Sequence, residues 1–112
     1  MRARLARVHV HNEVGSLLGM KSTYLHSIGA LPGVEGSMAK LFSASTFQTS
    51  TADLLDLVGR DGLLSEGEPG APAGGSLEYQ WRKSAVVTIY GGTNEIMRGI
   101  IAERGLGLPR TR

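Results

Sequence analysis

Apolar residues Leu5, Val8, Leu17, Leu18, Leu25 and Ile28 recur at mostly helical intervals, and no proline lies between Arg2 and Gly29. The pattern predicts one long helix over residues 2 to about 29. Gly15 and Gly19 sit one turn apart within it, each weakening a helix by roughly 1 kcal/mol relative to alanine unless a neighbour packs closely there. Ala30-Leu31-Pro32-Gly33 supplies a stop and a turn. A second helix is expected from Glu35–Ser37 to about Val58, on a stripe of Met38, Leu41, Phe42, Phe47, Leu54, Leu55 and Val58. Alanines and threonines between those positions allow close approach, and Gly59 is a natural stop.

From Asp61 to Gly75 the chain reads DGLLSEGEPGAPAGG, whose glycines, prolines and acidic residues predict a mobile loop without regular structure. A third helix fits Leu77 to about Ile89, with Trp81, Val86 and Val87 as anchors and Trp81 expected in the core. Gly91 and Gly92 break it, and a fourth helix runs from about Thr93 to Arg104 on Ile96, Ile100 and Ile101. Four helical segments without an alternating strand pattern predict an all-α helical bundle, a single domain over residues 1–112 with a Gly/Pro-rich loop at 61–75.

Composition sharpens this picture. An apolar fraction of 41% with 16 glycines among 112 residues implies a thin core and a surface suited to a partner. Cysteine is absent, which excludes disulfides, thiolate metal sites and thiol nucleophiles and fits a reducing cytoplasm. Arg2, Arg4 and Arg7 are followed by His9, His11, Asn12 and Glu13, so no export signal is expected, and no run is long enough to span a membrane. The net charge is only +2, and the basic residues lack the dense, aromatic-interleaved stripe of a nucleic-acid surface.

Candidate chemistry concentrates at YGGTNEIMRG, residues 90–99. Thr93 follows two glycines and precedes a helix, so its hydroxyl can cap the helix while Asn94 and Glu95 occupy the first turn. Backbone N–H groups and the positive end of the helix converge there, a setting that suits phosphate, although Gly-Gly-Thr is equally an ordinary loop and cap. His9 and His11 point about 200° apart on a helix and cannot share a metal, so no metal site is expected. Ser84 and Thr88 have no sequence-local base, and Glu95 with Arg98 reads as a surface pair.

The segments TIYGGTNEIMRGIIAERGLGLP, PGVEGSMAKLF and DLLDLVGRDGLL together resemble the C-terminal helical domain of flavin-dependent acyl-CoA dehydrogenases, over nearly the whole chain. The resemblance implies a bundle assembled as homo- or hetero-oligomers of acyl-CoA dehydrogenase chains, with FAD across the subunit interface and an acyl-CoA thioester beside the flavin. It implies cofactor contacts at Thr93, Asn94 and Glu95, and substrate contacts at Tyr90 and Gly92. Gly91 stands where many members carry the catalytic glutamate, so this chain supplies no base there. By the same resemblance, the amino-terminal and β domains that make most flavin and CoA contacts are not represented, which implies that the isolated chain is inactive. A non-catalytic subunit pairing with a complete dehydrogenase is the alternative.

Overall fold

The computed structural model describes residues 1–30 and 33–110. Helix α1 spans Arg2–Ser27, α2 Glu35–Val58, α3 Ser76–Val87 and α4 Asn94–Ile100, and no strand occurs among the described residues. The all-α expectation holds, with helix limits close to those the punctuation in the sequence implied. The carboxyl end of α1 is closed by Gly29 at φ +69°, with Ala30 N–H donating to the Leu25 carbonyl. Leu31 and Pro32 of the expected turn lie outside the described residues. Gly59, at φ +76°, ends α2 as a residue without a Cβ readily can.

The α1–α2 contact depends on small side chains. A Cβ added to Gly15 would lie 3.3 Å from Ser43 Oγ, so this glycine marks a close crossing, whereas one at Gly19 would meet nothing within 4 Å. Ala44 is buried, and the buried hydroxyls of α2 have partners. Thr51 donates to the Phe47 carbonyl at 2.9 Å, and Ser50 Oγ pairs with His11 Nδ1 at 3.1 Å. His11 also meets Phe42 edge-on. Ion pairs then clamp the amino-terminal half of α1 to α2: Arg7 donates to Asp53 through Nε and Nη2, and Arg4 reaches both Asp53 and Asp56.

Two expectations are corrected. The 61–75 segment is not free of regular structure, because 3-10 turns occupy Gly59–Leu63 and Pro72–Gly75 at its ends. The Glu68 carboxylate accepts from the Ser65 N–H, and Gly75 is buried where a Cβ would collide with the Ser65–Glu66 backbone. Local capping and close backbone approach thus replace the missing helical propensity. Trp81 is not a core residue: it is 43% exposed, and Val86, another expected anchor, is 55% exposed. The face of α3 that meets α2 instead carries the small residue Ser84, whose hydroxyl bonds the Trp81 carbonyl.

Helix α2 is the hub. It packs extensively against α1, α3 and α4, whereas α1 and α3 make no comparable contact with one another. The radius of gyration is 16.9 Å, against about 13 Å for a compact chain of this length. The accessible surface is 7857 Å², against about 6,000 Å² for a compact monomer of this mass.

Candidate functional site

The segment between α3 and α4 turns on two glycines in the left-handed region, Gly91 at φ +67° and Gly92 at φ +97°. They differ in kind. A Cβ at Gly91 would meet nothing within 4 Å, so only its backbone conformation demands glycine. A Cβ at Gly92 would run into Met97 Cε, so this position is constrained by packing as well. Met97 is one of the two buried apolar residues of the chain's described part, a role not visible from its place outside the Ile96, Ile100, Ile101 stripe.

Thr93 is the helix cap: its backbone is extended (φ −64°, ψ 159°) and its Oγ1 accepts from the Ile96 N–H at 3.3 Å. Asn94 is buried, its N–H donating to the Thr88 carbonyl across the glycine turn. Both polar atoms of its side chain are engaged, Nδ2 donating to Ser45 Oγ and Oδ1 accepting from Lys40 Nζ, each at 3.3 Å. The amide therefore pegs the start of α4 to α2. Lys40 and Ser45, which are more than forty residues upstream, gave no local signal of this role.

Glu95 is exposed and pairs with Arg98 at 3.4 Å. Its carboxyl is held below the ordinary value, first by a hydrogen bond from its own backbone N–H, then by the Thr93 hydroxyl. Among the described residues, the backbone N–H groups of Gly91, Gly92 and Thr93 have no acceptor. Three consecutive donors at a glycine turn are an arrangement that can receive an oxygen-rich ligand.

The turn also divides two clefts. Tyr90, 55% exposed, opens into a cleft of about 360 Å³ with His11, Ser43, Thr46 and Lys83. Gly91 borders another of about 380 Å³ with His26, Glu35, Lys40 and Met97. Tyr90 and Gly91, adjacent in sequence, thus face different spaces.

A sequence profile described as acyl-CoA dehydrogenase, C-terminal domain, matches residues 1–106. The chain belongs to the acyl-CoA dehydrogenase family. It is 33% identical to the acyl-CoA dehydrogenase FadE26 of Mycobacterium tuberculosis over 98% of its own length and 28% of that protein's. It is 38% identical to the acyl-CoA dehydrogenase IpdE1 of the same organism, over 70% of this chain and 19% of that one. Among solved structures, the steroid ACAD Tcur3481-Tcur3483 superposes with a TM-score of 0.93 at 32% identity, covering 98% of this chain and 29% of that one. The ChsE4-ChsE5 complex from M. tuberculosis gives 0.88 at 33% identity, covering 98% and 28%. This acyl-CoA dehydrogenase domain therefore spans under a third of the length of the relatives it matches. No helix among its described residues is long and apolar enough to cross a membrane.

Proposed function

We propose that this chain acts as the C-terminal domain of an FAD-dependent acyl-CoA dehydrogenase that introduces an α,β double bond into acyl-CoA thioesters. Family membership supports the reaction class, and the unengaged N–H groups of Gly91, Gly92 and Thr93 support a ligand contact at this turn. FAD, when bound, accepts the hydride that leaves the substrate's β-carbon. Thr93 and Glu95 contribute polar atoms on the cofactor side, and Gly92 and Tyr90 border the thioester and acyl side. Asn94 serves the cofactor contact by holding the turn in place, since its amide is engaged with Ser45 and Lys40.

Glycine at 91 accepts no proton, so the α-proton goes to a carboxylate outside these 112 residues. The site is completed by other acyl-CoA dehydrogenase polypeptide, and the two-protein names of both structural neighbours support a hetero-oligomer. The steroid ACAD neighbour also favours an acyl group carried on a steroid skeleton. The second reading, a non-catalytic subunit paired with a complete dehydrogenase, is favoured by Gly91 alone.

The test is co-expression with the neighbouring acyl-CoA dehydrogenase genes, followed by the absorbance of bound oxidised flavin. Flavin should appear in the co-expressed assembly and fall with Thr93→Val. An assembly that holds flavin equally well in the variant would remove this turn from the cofactor site.

A further inference from the structure

Of the three lysines in the chain, Lys21 and Lys83 are exposed, as that side chain usually is, whereas Lys40 is half-buried on α2. Among the described residues no carboxylate pairs with it. Its Nζ donates instead to Asn94 Oδ1, beside the glycine turn, and its side chain lines the cleft that Gly91 borders. Glu35 lines the same cleft without forming an ion pair, and Glu95, the residue after Asn94, is engaged with Arg98. The charge of Lys40 is nevertheless felt at the start of α4. It adds to the effect of the Glu95 backbone N–H, the Thr93 hydroxyl and Arg98 in holding the Glu95 carboxyl below its ordinary value. A half-buried ammonium resting on a neutral amide keeps its charge uncompensated, which is unfavourable until an anion joins it.

We propose that Lys40 is the charge that retains the cofactor's diphosphate at the Gly91–Thr93 turn. This inference rests on the functional reading above. The donor set fits such a group: the N–H groups of Gly91, Gly92 and Thr93 supply directional hydrogen bonds but no net charge, and the ammonium supplies charge without needing direction. Both sit around Asn94, whose amide ties Lys40 to the turn, so the charge is in place before the cofactor arrives. Arg98 does not replace it, being exposed and paired with Glu95. The role is retention alone. A diphosphate carries the same charge whether the flavin is oxidised or reduced, so a cation that acts on it changes binding and leaves the potential as it was.

The co-expressed assembly is prepared with Lys40→Gln, which keeps an N–H donor for Asn94 and loses the charge, and with Lys40→Arg, which keeps both. FAD release is followed by flavin fluorescence across a salt series, and the midpoint potential of the bound flavin is measured beside it. Wild-type retention should weaken as salt rises. Lys40→Gln should weaken it by about tenfold at low salt and flatten the salt dependence, while Lys40→Arg keeps most of both and the potential stays that of the wild type. Wild-type retention that ignores salt overturns the inference without any variant. So does a Lys40→Gln assembly that holds FAD as well as the wild type, or one that loses FAD with the salt slope intact, which would make Lys40 a prop for Asn94. A shifted potential with retention unchanged overturns it too, by moving the charge to the flavin ring. Absence of flavin from the wild-type assembly is a separate failure: it sinks the functional reading, and this inference with it.

Discussion

Gly92 and Met97 form a single steric unit, while Gly91 answers only to its own backbone. Gly91→Ala should cost about 1–2 kcal/mol for placing a Cβ in the left-handed region. Gly92→Ala should cost at least as much, from its φ of +97° and from the small shift it asks of the Met97 methyl. In a double-mutant cycle by urea unfolding, the Gly92→Ala penalty should shrink in a Met97→Ala background; additive penalties would show that the two do not touch. At Gly91 the open space does not exempt a glutamate, whose backbone meets the same strain as alanine's. A second residue-scale expectation concerns Glu95. Its folded pKa is lowered, so its contribution to stability is present above the ordinary value of 4.5 and is lost as pH falls through the folded value. Glu95→Gln should therefore lower stability at neutral pH and leave it unchanged at a pH where the carboxyl is protonated, so that the acid side of the profile becomes flatter. A variant that keeps the wild-type acid slope would rule this out.

The elements were legible where the stop signal was local. Gly59 ends α2 at a positive φ, the Gly91-Gly92 pair turns the chain a few residues past the end of α3, and Thr93 starts α4 because its hydroxyl reaches the Ile96 N–H; each lies close in sequence to its effect. What escaped was set by distance. Trp81 reads as a core anchor by composition, yet the α2–α3 contact uses Ser84 and leaves the indole outside. The Asn94 peg depends on Lys40 and Ser45, half the chain away, and the ordering of 61–75 depends on Gly75 meeting the Ser65 backbone. The peg makes its own prediction. Asn94→Ala should cost about 1 kcal/mol by removing the hydrogen bonds to the half-buried Lys40 and Ser45, and should speed hydrogen exchange across α4 more than in α1. Uniform loss of protection would mean that α4 is held by packing alone. The Arg7–Asp53 clamp is a weaker joint, since both arginines are half-exposed, and Asp53→Asn should cost at most about 1 kcal/mol, less in high salt.

At the scale of the whole molecule, the chain presents about 1,900 Å² more surface than a compact protein of its mass, an excess comparable to a standard protein–protein interface. That excess is not spread at random. Val10, Leu17, Met20 and Tyr24 are all more than half exposed and fall within about 80° of arc on α1, with Ile28, also more than half exposed, just past its end. A helix apolar on two sides needs partners on two sides, so α1 is built to lie inside a larger body. Unfolding the isolated chain should then uncover little new surface, giving a urea m-value toward the low end of roughly 1–3 kcal/mol/M. The lone chain should also bind a hydrophobic dye in its folded state. In the co-expressed assembly, dye binding should fall and α1 amides should gain protection along both faces. An isolated chain with the m-value of a fully compact domain and no dye binding would mean that these faces close on each other in solution. The bundle would then be complete as it stands, and α1 would need no partner.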